Sequence, residues 1–200
     1  LCLFVGNTVS APKKNKKTGE YTIDETSSDV WSVINFLAAV LNRRPEVEKL
    51  IKRYRQNDAV VEVGDKNPFY NLFLPISNGS EADVYADMLR KVFQAQGVQK
   101  LHLQLFKKTG EIALKVGNGP VFGVINIGDS AGFLSVVKTT TEFIIDPPDE
   151  VEDKSYFANL NSVDSSVTIL VGSRKFTEGW SSWRVSAMGL LNMGVSEGTQ

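Results

Sequence analysis

The spacing of apolar positions changes along this chain, and each change predicts a different element. Leu1 to Val5 is a continuous apolar run closed by Gly6, the pattern of a parallel strand covered on both faces. From Thr26 the period becomes helical. Val30, Val33, Ile34, Leu37 and Leu41 fall on one face, with Ser28 or Asp29 as the cap. Pro45 starts a second helix that turns Val47, Leu50, Ile51 and Tyr54 inward. A third is capped by Ser80, carries Glu81 and Asp83 at the positive end of its dipole, and is expected to stop at Gly97. Its stripe is Val84, Tyr85, Met88, Leu89 and Val92.

At Lys100 the period falls to two. Leu101, Leu103 and Leu105 alternate with His102, Gln104 and Phe106. After the Thr109-Gly110 turn, Ile112, Leu114 and Val116 alternate on the return, and Gly117 to Pro120 turn the chain into Val121 to Ile127. This predicts an antiparallel three-stranded meander. The acidic, proline-containing stretch 146–153 reads as a connection, a buried strand follows from Val167 to Val171, and Arg184 to Leu191 offers one more apolar run. The outer parts thus have the texture of an open α/β sheet and the middle that of an α+β segment. The expectation is an open, mostly parallel sheet with residues 1–24 and 141–200 in one incomplete domain and 25–140 as an insertion.

Length and composition bound the function without naming it. The chain has 200 residues, 42% hydrophobic and 22% charged, enough for one sizeable core. No apolar stretch approaches the ~18 residues of a membrane span. With one cysteine, Cys2, and one histidine, His102, neither an internal disulfide nor a structural zinc site can be assembled. A cytoplasmic compartment is the expectation. A net charge of -1 gives no global attraction to nucleic acid, so such binding needs a local patch. The run Lys13-Lys14-Asn15-Lys16-Lys17 reads first as a solvated loop. Leu1 opens directly as a strand and residues 196–200 look like a helix start, which suggests a piece of a longer protein.

"GDSAG", residues 128–132, satisfies the G-x-S-x-G pattern of a serine hydrolase elbow and would make Ser130 a nucleophile. A serine hydroxyl needs a base within hydrogen-bond reach, held by a carboxylate. His102 is the sole histidine and lies upstream, against the Ser-acid-His order of such enzymes. A plain Gly-Asp-Ser turn ending the meander is the simpler reading.

The stretch "LVGSRKFTEGWSSWRV", residues 170–185, opens a polar loop straight after a buried strand. In open parallel sheets, loops at strand carboxyl ends collect anions. Ser173, Arg174, Lys175 and Thr177 supply hydroxyls and cations suited to phosphate oxygens, and Gly179 permits close backbone approach. Residues 173–180, with Trp183-Arg184-Val185, Asn192-Met193-Gly194 and Ser196 to Gln200, resemble motif V and the approach to motif VI in DEAD/DEAH-type helicases. The nearest likeness is the Res subunit of type III restriction-modification systems. Residues 1–7 would correspond to the first strand of the second RecA-like domain, around motif IV. Residues 110–114 and 122–129 also resemble segments of that family, which gives Asp129 and Ser130 a non-catalytic setting.

The resemblance implies a motor. Two RecA-like lobes grip ATP and Mg2+ between them, and hydrolysis alternates each lobe's hold on DNA. Ser173 would touch the nucleic-acid backbone, Gly179 would lie near the nucleotide, and Arg174, Lys175, Thr177 and Glu178 would couple the two sites. The implied partners are DNA, the first RecA-like domain of the parent chain and a DNA methyltransferase (Mod) subunit, and a restriction subunit would add endonuclease activity. The chain departs from the pattern at Gly179-Trp180-Ser181, where such loops continue Gly-x-Asp. It also has no Gly-Lys-Thr or Gly-Lys-Ser phosphate loop and no DEAD-like acidic motif. No complete catalytic set and no metal-ligand set is therefore expected within these residues, and the chain alone should not hydrolyse ATP. Two rival classes are a hydrolase built on Ser130 and a protein-interaction module presenting Trp180 and Trp183.

Overall fold

The computed structural model describes residues 1–6, 13–14, 21–22, 28–58, 61–63, 66–72, 79–137, 141–172 and 182–191. It is an α/β fold built on one open, seven-stranded sheet. The strands are β1 (Cys2–Val5), β4 (Leu101–Phe106), β5 (Glu111–Val116), β6 (Gly123–Asn126), β7 (Phe143–Ile145), β8 (Ile169–Gly172) and β9 (Met188–Leu191). A separate two-stranded ribbon pairs β2 (Lys13–Lys14) with β3 (Tyr21–Thr22). The sheet order is β7-β4-β5-β6-β8-β1-β9. Strand β5 is antiparallel to both neighbours, and every other pairing is parallel. Six strands therefore run one way, and the architecture is consistent with the incomplete RecA-like sheet expected from the sequence.

The meander expected as part of an insertion is continuous with the terminal strands. Residues Gly123 to Asn126 of β6 pair in parallel with Ile169 to Gly172 of β8. One core follows from this: Leu103, Ile112 and Ile125 from the meander pack in the same cluster as Val5, Ile169 and Val171.

The alternation of the strands explains the layers. Leu101, Leu103 and Leu105, with Ile112, Leu114 and Val116, point to a first face. There they meet α1 (Asp29–Asn42) and α3 (Glu81–Lys91), and α4 (Ser130–Val136) adds Phe133. Helix α1 buries the stripe read from sequence, and each such side chain contributes about 1.5–3 kcal/mol. Ser28 is its cap, accepting a hydrogen bond from the Trp31 amide. Helix α3 has a full capping box, in which the Ser80 hydroxyl accepts from the Asp83 amide and the Asp83 carboxylate accepts from the Ser80 amide. It ends at Lys91, before Gly97. Gln94, at φ 53°, is the residue that takes the left-handed conformation there, so the expected glycine stop does not operate. Helix α2 (Arg44–Arg55) forms an outer layer and buries no residue fully; Val47 and Ile51 pack against the core, but Leu50, expected to turn inward, is exposed because only a narrow stripe of this outer helix meets the layer beneath.

Among the described residues, the second face is covered by an irregular segment. Cys2, Phe106, Ala113, Val124 and Leu170 pack under Phe157, Leu160 and Val167 of an irregular strap that leads into β8. Cys2 is a small core residue, as expected, and burial pushes its thiol pKa up.

Candidate functional site

The carboxyl ends of six co-directional strands gather on one rim of the sheet. At that rim Gly172, the last residue of β8, lies level with Asn126 of β6 on one side and Phe4 of β1 on the other. After β6, α4 lays Phe133 and Val137 into the first-face core, whereas the next described part of the chain beyond β8 places Val185 against the second-face cluster. Neighbouring parallel strands followed by segments on opposite faces define a topological switch point, the place where open α/β sheets hold ligands.

The residues singled out from sequence, Ser173, Arg174, Lys175, Thr177, Glu178 and Gly179, lie outside the described residues, as does Trp180. Both anchors of that stretch are described. Gly172 holds one end in the sheet. At the other end Ser182 Oγ donates to Asn161 Oδ1, and the Arg184 guanidinium donates to the carbonyls of Leu160 at 2.7 Å, Ser162 at 3.3 Å and Ser165 at 3.0 Å. The stretch 173–181 thus springs from the switch point and is tied back to the strap on the second face.

The topology brings a second sequence motif to the same rim. Residues 128–130 follow β6, the strand beside β8, so the GDSAG turn and the start of the 173–181 stretch leave adjacent strand ends. Asp129 caps α4, its carboxylate accepting from the Gly132 amide at 2.8 Å. A Cβ on Gly132 would fall 2.1 Å from Asp129 Oδ2, so a glycine is needed for this cap to close. Asp129 is exposed at the rim.

Strand, turn and helix occur in the order that a nucleophile elbow requires, yet the chemistry does not assemble around Ser130. Its side chain is buried and its Oγ donates to the Ile127 carbonyl at 3.3 Å. His102 Nδ1 instead shares a hydrogen bond of 2.9 Å with Asp146. Register separates the two residues further. Ile125 of β6 is level with Ile112 of β5, and Ile112 with Leu105 of β4. His102 lies three residues back from Leu105, about 10 Å toward the amino rim, while Ser130 lies beyond the carboxyl rim. His102 also does not stand free on an outer face. It is partly buried in a polar group with Asp146, Lys115 and Gln104, where Lys115 Nζ donates to Gln104 Oε1 at 2.7 Å.

Two structurally important residues escaped the sequence reading. Glu111 looks like a solvent-facing strand residue because it shares a face with Lys115, but its carboxylate is buried. It accepts from Ser155 Oγ at 2.5 Å and from the amides of Tyr156 at 2.8 Å and Phe157 at 3.3 Å. The other is Arg184, which gives its guanidinium to backbone carbonyls. No local signal marks either one, since their partners lie 19 to 46 residues away.

A cavity of about 380 Å³ opens at the opposite, amino rim, lined by Val92, Val167, Thr168, Arg184 and Val185 among others. Two of its polar side chains are already engaged: Thr168 Oγ1 hydrogen-bonds to the carbonyls of Val92 and Phe122, and Arg184 is held as above. The carboxyl rim, where strand ends and two sequence motifs meet, is the better candidate on chemistry. Among the described residues no three His, Cys, Asp or Glu side chains are placed to hold a metal ion, and no helix is long and apolar enough to cross a membrane.

These features define an open α/β protein with a switch point at the carboxyl rim of its sheet. Comparison with protein-family models, curated proteins and solved structures gives no significant match to the chain.

Proposed function

We propose that the chain is part of the second RecA-like domain of an ATP-dependent DNA translocase or helicase, of the kind found in Res subunits of type III restriction enzymes. The observation that carries this reading is the switch point between β6 and β8, from which the stretch resembling motif V departs. Such switch points hold phosphate-bearing ligands because strand ends and loops there direct unpaired amides outward. Ser173 and Thr177 supply hydroxyls to phosphate oxygens, and Arg174 and Lys175 supply charge. The anchors Gly172 and Arg184 give the stretch two defined ends, one in the sheet and one on the strap of the second face.

The described residues do not form a nucleotide and magnesium site alone. Asp129 at the rim is engaged in capping α4, and the sequence carries no phosphate-loop lysine motif. The role assigned to this chain is therefore coupling, with the phosphate-gripping groups supplied by the partner lobe.

Steady-state ATPase assays with and without DNA test the proposal. Residues 1–200 alone turn over no ATP even with DNA present. In the intact parent chain, Ser173→Ala and Thr177→Ala keep basal turnover and lose DNA stimulation. Turnover by residues 1–200, or undiminished stimulation in both variants, overturns the reading. Covalent capture of Ser130 by a fluorophosphonate probe would replace it with the hydrolase.

A further inference from the structure

Charge is distributed unevenly over this molecule. Residues 43–55 carry six cations, Arg43, Arg44, Lys49, Lys52, Arg53 and Arg55, against two carboxylates, Glu46 and Glu48. That local excess of four leaves the rest of the chain at -5, since the total is -1. These residues are α2 and its cap, in the outermost layer of the fold.

Helix stability accounts for part of this charge. Lys52, Arg53 and Arg55 in the last turn oppose the negative end of the helix dipole. Arg44 is paired with Glu48 and lies over the Tyr85 ring, Arg53 is paired with Asp58, and Arg55 with Glu81. Arg43, Lys49 and Lys52 are exposed and have no ion-pair partner among the described residues. Arg43 caps α2 without a side-chain hydrogen bond, but it is also the C-cap of α1, where a cation faces the negative end of that helix's dipole. Neither ion pairing nor the α1 cap accounts for the exposed charge of Lys49 and Lys52, which points to another demand.

Geometry narrows the demand. Lys49, Lys52 and Arg53 stand at i, i+3 and i+4 on the side of α2 opposite Val47, Ile51 and Tyr54, about 5–6 Å apart, close enough to meet neighbouring phosphates of one strand. Membrane binding would require a broad apolar face beside the cations, yet Val47 and Ile51 are turned to the core and Leu50 is the one exposed large apolar side chain of α2. The corner between α1 and α2 lies near the amino end of β7, where Asn42 Nδ2 donates to the Glu142 carbonyl, so this surface is distinct from the carboxyl rim.

We propose that α2, through the exposed row holding Lys49 and Lys52, is a sequence-independent docking surface for the phosphate backbone of a nucleic-acid duplex. Base contacts are not needed, and the binding is governed by release of counterions from the phosphates. This surface goes beyond the coupling stretch at the rim, and its test reads binding without any ATP turnover, so the two readings succeed or fail separately.

The experiment is fluorescence anisotropy of a short labelled DNA duplex of arbitrary sequence, titrated with the 200-residue chain at salt concentrations between about 50 and 200 mM. The plot of log K against log salt should slope downward for the unaltered chain. Lys49→Gln with Lys52→Gln should reduce the magnitude of that slope by about 2 and weaken binding about tenfold at the low-salt end. Lys154→Gln, an exposed lysine outside this surface, should change neither. Lys49 and Lys52 are both exposed, so the melting temperature of the double variant should stay within about 2 °C of the unaltered chain, which separates binding from folding. No duplex binding by the unaltered chain, an unchanged slope in the double variant, or preference for phosphatidylserine vesicles over the duplex would overturn the proposal.

Discussion

The two faces of the sheet are covered by different means. The first face is closed by α1, α3 and α4, whose apolar stripes meet the odd-numbered side chains of β4 and the even-numbered ones of β5. The second is closed by a strap with no regular element, residues 155–166, pinned by the buried Glu111 carboxylate at one end and the Arg184 guanidinium at the other. A periodic helix carries its own backbone hydrogen bonds, so apolar burial suffices to dock it. An irregular segment must have its amides and carbonyls satisfied from outside, and that duty falls on charged side chains. The strap is also where the stretch 173–181 is tied down, so the less regular face is the one connected to the candidate site.

Substitution in the apolar face should cost most. Ile34 is fully buried in α1 against the sheet. Ile34→Ala is expected to destabilise the chain by about 2–5 kcal/mol, read as a shift in urea midpoint with unchanged slope. A loss below about 1 kcal/mol would mean that the first face does not dominate the core.

The second face should respond less globally and more locally. Glu111→Gln keeps the shape but replaces one acceptor oxygen by a donor facing the Ser155, Tyr156 and Phe157 donors. A cost of about 1–3 kcal/mol is expected. The sharper readout is amide hydrogen exchange, in which residues 155–166 should exchange faster while α1 keeps its protection. If α1 and the strap lose protection together, the two faces are one cooperative unit and the contrast between them fails.

This contrast also sets what could be read from the sequence. Helices α1, α2 and α3 and the meander are visible because their periods are local properties of the chain. Strand β7, three residues between polar flanks, has too few positions to show a period. The pairing of β6 with β8 joins residues 46 apart and leaves no local trace, which is why the meander read as part of an insertion and not as the middle of one sheet. The same long-range pairing sets the GDSAG turn beside the origin of the 173–181 stretch. The candidate residues within that stretch were found by residue type and resemblance, and they lie outside the described residues. Glu111 was hidden by its alternation with Lys115, since period two marks a face but not whether something covers it.

The smallest effect tests whether local signals alone can position a first-face helix. In the capping box of α3, hydrogen bonds from the Ser80 hydroxyl and amide hold the Asp83 carboxyl below its ordinary pKa. A carboxyl depressed in the folded state stabilises the fold above its unfolded pKa, about 3.9, and that contribution is lost as pH falls through the lower folded value. Ser80→Ala should therefore lower the melting temperature by about 2–4 °C near neutral pH. The gap from the unaltered chain should narrow as pH drops below about 4, because the protonated Asp83 no longer favours the box. A gap that stays constant down to the acid limit would assign the whole effect to the Ser80 hydroxyl accepting the Asp83 amide. The carboxylate would then contribute nothing, and the first face would owe its helix start to a single cap, with apolar burial doing the rest.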